Sequence, residues 1–228
     1  MAPSTPQTGS ITTIRQPFYK NRFIPPITLE YSDFASLTAK SVADLVATLE
    51  GTRLGVAASY GEESVLKVLA FSTGSRVLLI KMDAASKSAK RQKRILKDEL
   101  LCNDSLEKHG FFMERLAAAL YLDLALHIQH SFDITSDGDK RGSMAAYKGV
   151  LARARPQDSL DEPIVESIFT EQPFILSRKD ELAQRAWACY IGVHGVPDKP
   201  GAIDTSVKDP QARSTYQNHG YCFPDRSD

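Results

Sequence analysis

No apolar run in this chain approaches the roughly 20 residues that a bilayer-spanning helix needs, so a membrane protein is not expected. Net charge is missing too: Lys and Arg number 28, and Asp and Glu number 28. No global field therefore draws the molecule toward nucleic acid or an anionic lipid surface. Cysteine is scarce, with Cys102, Cys189 and Cys222 widely spaced and odd in number. They build no C-x-x-C pair and no disulfide framework, which suits a reducing compartment. The N-terminus lacks a continuous apolar segment, so a secretory signal is not expected either. It is acid-free until Glu30 and carries Arg15, Lys20 and Arg22, in the manner of a transit peptide. Five prolines in the first 26 residues oppose the amphipathic helix that such peptides form. Cytoplasm or nucleus is the expected location, ahead of the mitochondrion.

What the chain does have is the balance of a globular protein: 228 residues, 42% hydrophobic and 25% charged. That length allows one large domain or two small ones. Residues 1–28, with Pro3, Pro6, Pro17, Pro25 and Pro26 and no periodicity, read as a flexible N-terminal arm. Residues 29–194 read as the folded domain, and 195–228, again proline-rich and poor in apolar residues, as an extended C-terminal tail.

Within the domain, Ser41 stands where a helix cap is expected, ahead of Val42, Leu45, Val46 and Leu49 at helical spacing, and Gly51 ends the helix. Residues 53–58, 65–71 and 76–82 are short apolar strands joined by polar turns, an antiparallel meander. From 84 onward the period becomes helical, with Leu96 and Leu100 inward. A short strand is expected at 106–109, a strong helix at 111–124 and another strand at 128–134. Residues 137–163 read as a long polar connection holding one short helix, and 179–193 as the last helix. An initial meander followed by alternating helices and strands indicates an α/β domain on a mixed sheet.

Familiar chemical signatures are few. There is no G-x-G-x-x-G, no phosphate-binding G-x-x-x-x-G-K-[ST] and no H-E-x-x-H. His127 and His130 lack companion ligands, and Asp137 and Asp139 read as a turn rather than a calcium loop. Ala57-Ala58-Ser59-Tyr60-Gly61 approximates a nucleophile elbow, but the turn leads into a strand, so the helix that would stabilise an oxyanion is missing. Seven basic residues and one acid lie between Lys81 and Lys97. Lys87, Lys90, Arg91, Arg94 and Lys97 gather on one side of the expected helix, either a solvated face or a contact for a phosphate backbone.

The run of elements, with 42–51 leading into Leu54-Gly55-Val56, then 65–71, 77–80, 95–98, 105–110 and Leu120-Tyr121 with Asp123, Leu126, Ile128, Phe132 and Asp133, resembles the 3′–5′ exonuclease domain of the ribonuclease D type. The resemblance covers 41–192 and implies a ribonuclease H-like fold, a three-strand antiparallel meander plus parallel strands flanked by helices. It also implies two divalent cations held by four carboxylates at the scissile phosphate, since hard cations require oxygen ligands. The matching positions here are Ala57 and Ser59 for the first motif and Leu116 for the second. Arg185 and Cys189 match the third. None is a carboxylate, and a shift of two residues would put Glu114 in place of Leu116.

The expectation is therefore a pseudo-exonuclease: not an enzyme, with no metal site and no cofactor. In this loss it is similar to exonuclease-domain adaptors of the Egalitarian kind. The function expected is an RNA-associated adaptor or scaffold in RNA processing or silencing. Its partners would be RNA, through the Lys87–Lys97 face, or an RNA-processing protein complex, with a homodimer possible. Two alternatives stand beside it. One is a protein-only scaffold, anchored by aromatics of the terminal segments such as Phe18, Tyr19 and Phe23 or Tyr216, Tyr221 and Phe223. The other is a divergent metal-dependent 3′–5′ exonuclease drawing acids from Glu62, Glu63 or Glu114.

Overall fold

The computed structural model of the chain describes residues 10–20, 23–61, 64–82, 89–135, 143–170 and 174–194. The expected meander is there: β3 (Arg53–Tyr60), β4 (Leu66–Ser72) and β5 (Arg76–Lys81) pair antiparallel in sequence order. Two strands precede it, β1 (Ser10–Ile14) and β2 (Ile27–Asp33), and two follow, β6 (Glu107–Gly110) and β7 (Ser131–Asp133). All seven form one mixed sheet in the order β1-β2-β5-β4-β3-β6-β7. β2 lies parallel to β5, and β6 lies parallel to β3 and to β7.

Alternation along the strands divides the core into two layers. In β5, Leu78 and Ile80 face one layer and Val77 and Leu79 the other. Three helices cover the first: α1 (Ala39–Val46), α2 (Lys90–Leu96) and α3 (Met113–Leu124). The second is covered by α4 (Met144–Ala154), α5 (Glu162–Phe169) and α6 (Lys179–His194). Such a sandwich lets a largely apolar sheet bury both faces. Among the described residues no helix is long and apolar enough to cross a membrane.

Local chemistry explains several boundaries. Thr38, not Ser41, caps α1, its hydroxyl accepting from Ser41 N at 3.1 Å. Ser143 does the same for α4, accepting from Ala146 N at 3.2 Å. After α2 the chain widens into a π-helical turn, Lys97–Leu101, and the fully buried Lys108 ties down the segment beyond it. Its ammonium donates to the carbonyls of Asn103 and Leu106, both at 2.8 Å.

The N-terminal segment departs from the expected arm. Residues 10–14 form the edge strand β1, and Phe18 and Tyr19 are buried. Phe18 stacks on Trp187 of α6 with ring centroids 5.9 Å apart, and the Tyr19 hydroxyl donates to Leu151 O at 2.8 Å. These two aromatics fold onto their own domain rather than standing out as partner anchors, whereas Phe23 is 80% exposed. Tyr216, Tyr221, Phe223 and the whole of 195–228 lie outside the described residues, as do residues 1–9. The polar stretch 137–163 holds the one short helix expected, α4, and a second helix that was not expected, α5, begins at its end; their buried faces supply Tyr147, Val150, Leu151, Val165, Ile168 and Phe169.

Candidate functional site

β3 and β6 are parallel neighbours, and their carboxyl ends open into a cleft. From β3 the chain continues toward β4 and β5 on one side of the sheet, and from β6 toward β7 on the other, so the sheet order reverses at this point. Ligands of open α/β sheets enter at such places. The floor is the end of β3, with Val56, Ala57, Ala58 and Tyr60. A register shift at Ser59/Tyr60 bends the strand there. Phe111 and Phe112, just past β6, and Arg115 and Leu116 of α3 form one wall. Tyr147, Phe169, Arg185 and Cys189 of the opposite helical layer form the other. The space between atoms, counting the open mouth, is about 520 Å³.

Each lining group has a structural reason for its position. Arg185 and Cys189 are one turn apart on α6, so both reach the same wall. α6 lies this close because position 55 is glycine: a Cβ there would sit 2.3 Å from Ala186 O and 2.6 Å from Tyr190 N. Arg185 closes the end of α5, its Nε donating to Ile168 O at 2.5 Å and an Nη to Thr170 O at 2.9 Å. Arg115 lies over the Tyr60 ring, its Cζ 4.1 Å from the centroid, a cation–π contact. Tyr147 and Phe169 stack at 4.3 Å, and Phe111 meets Tyr147 edge-on at 4.6 Å.

Ala57, Leu116 and Cys189 all meet in this cleft, with Arg185 beside them. Ser59 lies two residues further along β3 and is buried, but it is not among the lining residues. Glu114 is exposed on the first turn of α3, and Glu62 and Glu63 lie outside the described residues. Lys90, Arg91, Arg94 and Lys97 are exposed along α2 and the turn after it, apart from the cleft-lining residues, and Lys87 lies outside the described residues. What sequence reasoning missed is the aromatic wall. Phe111-Phe112 at a strand-to-helix junction was a visible signal, but nothing local points Tyr147 or Phe169 here.

Two of the acids within the resembling stretches, Asp133 and Asp123, are engaged in the framework. Asp133 accepts from Phe112 N at 2.9 Å and from the Thr135 hydroxyl at 2.6 Å, fixing the left-handed Phe112 (φ 57°) that opens α3. Asp123 accepts from Leu66 N at 2.8 Å and holds the start of β4. The donors in the cleft do not fit a pair of hard divalent cations. No lining residue is a carboxylate, and burial pushes the Cys189 thiol up to about 12, leaving it neutral and a poor ligand. Among the described residues no three His, Cys, Asp or Glu side chains gather as a metal-ligand group.

Solved structures similar to this one include RNase D of Trypanosoma brucei in complex with GMP. That likeness has a TM-score of 0.50 and 10% identity, over 74% of this chain and 57% of that one. The catalytic core of RRP6 from the same organism is similar at TM-score 0.44 and 15% identity, over 78% of this chain and 48% of that one. The Aedes aegypti Nibbler EXO domain is similar at TM-score 0.47 and 10% identity, over 67% and 79%. The chain thus spans about half the length of the RRP6 core. No protein-family model matches the sequence, and no curated protein does. At these identities the likeness carries the fold, and the fold is the ribonuclease H-like one of 3′–5′ exonuclease domains.

The expectation that the chain is a pseudo-exonuclease and no enzyme is corrected here. The fold it shares is that of a ribonuclease, RNase D, and nothing in the likeness marks this chain as inactivated. Missing carboxylates at four aligned positions say that those positions hold no metal, which is narrower than saying that no reaction occurs.

Proposed function

We propose that this chain is a divergent 3′–5′ exonuclease-type enzyme whose cleft takes the terminal nucleotide of a nucleic-acid strand. The observation that carries the reading is where the cleft lies: at the carboxyl ends of β3 and β6, with Ala57, Leu116 and Cys189 on its surface. The lining suits that occupant. Aromatic faces are sequence-tolerant stacking partners for a base, and guanidinium groups match phosphate oxygens in shape and charge. The RNase D of similar fold is a GMP complex, which supports a nucleotide as the occupant. Lys90, Arg91, Arg94 and Lys97 are assigned to the backbone of the incoming strand. Glu114, next to Arg115, and Glu62 and Glu63, which follow Tyr60, are the acids assigned to the reaction.

The test is 3′-end degradation of 5′-labelled single-stranded RNA and DNA by the full chain in Mn²⁺, in Mg²⁺ and in EDTA. Stepwise shortening is expected, slowed about a hundredfold by Ala57→Phe, which fills the cleft and displaces the terminal nucleotide. Intact substrate under all three conditions overturns the reading. For the basic face, K90E/R91E/R94E should flatten the slope of log affinity against log salt by about 2 units, three lost contacts at about 0.7 each for a single strand. An unchanged slope removes the face from the interface.

A further inference from the structure

In a two-metal nuclease, cations shield the substrate phosphate from the carboxylates that hold them. The described lining of this cleft reverses that electrostatic plan. It contains no acidic side chain, and its two charged groups, Arg115 and Arg185, come from opposite walls. The other lining groups are aromatic rings, apolar side chains and the neutral Cys189 thiol. A divalent cation entering here would meet like charge and no hard anionic ligand. A phosphate would meet the opposite charge from both walls.

Both arginines are also held in place before any ligand arrives. Arg185 is held by the carbonyls of Ile168 and Thr170, and Arg115 rests on Tyr60. Little side-chain freedom remains to be lost on binding. Beside them in the same lining, Phe111 and Phe112 are partly exposed, backed by the buried Tyr147–Phe169 stack, and give aromatic surface that a base can contact.

We propose that the cleft binds a nucleoside monophosphate, or the matching 3′-terminal nucleotide, without a divalent cation, through the guanidinium groups of Arg115 and Arg185. The inference rests on the reading that the cleft takes a nucleotide, and adds that the positive charge that bound metal would bring to the phosphate comes here from side chains.

Calorimetric titration of the full chain with AMP and with GMP, first in EDTA and then in millimolar Mg²⁺ or Mn²⁺, tests it. Affinity should agree within about twofold across these conditions, because no metal bridges phosphate and protein. Adenosine and guanosine should bind at least about tenfold more weakly, having no phosphate for the arginines. Arg115→Gln should weaken AMP binding about tenfold. Arg185 also closes α5, so Ala57→Leu serves as the second variant: it fills the cleft from the strand side and leaves both arginines in place. It should abolish AMP binding while the thermal melt stays cooperative.

Affinity that appears only with metal overturns the proposal. So do nucleosides binding as tightly as monophosphates, or an affinity that neither variant changes. If metal is required for nucleotide binding and the native chain still trims RNA, this inference fails and the enzymatic reading stands. If no nucleotide binds and no RNA is trimmed, both fail.

Discussion

His109 and His194 show how much a residue's chemistry depends on what is packed around it. His109 sits on β6, stacked on Phe132 at 5.1 Å, with Nε2 3.3 Å from Glu107, which also receives the Arg53 guanidinium. His194 ends α6, stacked on Tyr190 at 4.3 Å. Burial pushes both imidazoles from 6.5 down to about 4, against the opposing pull of Glu107 on the first and the Tyr190 carbonyl on the second. The unfolded chain therefore takes up protons that the folded chain refuses. Their contribution to stability is present above pH 6.5 and is lost as pH falls toward 4. Urea midpoints should fall across that window, and H109F, which can keep the ring contact with Phe132, should flatten the fall. Midpoints that stay level from neutral pH to 4.5 in the unmodified protein contradict the assignment. Nothing in the sequence separates these two histidines from His127 and His130; only their burial does.

Among the elements, the strands of the meander, α3 and α6 were legible because each carries its own periodic apolar pattern. α5 was not, and α4 was legible only as one short helix somewhere in 137–163. Their buried residues are diluted by Arg153, Arg155, Gln157 and Asp158 around the junction, and the contacts that stabilise them belong to α6 and the N-terminal segment. The packing of α6 on β3 depends on one position, Gly55, where any side chain meets the helix backbone. Gly55→Val should cost about 3 kcal/mol in chemical unfolding, the upper range for overpacking, and shift Arg185 and Cys189 away from β3. A variant as stable as the parent would show that α6 can ride outward without loss.

For the molecule as a whole, the N-terminal segment completes the second core layer rather than decorating it. Phe18 lies between Trp187 and Phe169, with ring centroids at 5.9 and 6.4 Å, and is fully buried. Phe18→Ala should destabilise the whole domain by about 3–5 kcal/mol, the range for a truncated core aromatic. It should do so in a single cooperative transition by both fluorescence and circular dichroism. A loss under 1 kcal/mol, or a separate early transition, would return the segment to the status of an arm.

The sequence by itself determined the α/β class, the meander, the periodic helices and the residues at positions 57, 59, 116 and 189. Those are local or identity-level facts, set by side-chain spacing along a few turns of backbone. Tertiary structure alone decided that Ala57, Leu116, Arg185 and Cys189 share one cleft with Tyr147 and Phe169, and that Phe18 belongs to the core. Ala57 is 59 positions from Leu116 and 128 from Arg185, and they meet because the sheet order reverses between β3 and β6 and because helices close over both faces of the sheet. No pattern along the chain records a contact between groups that far apart.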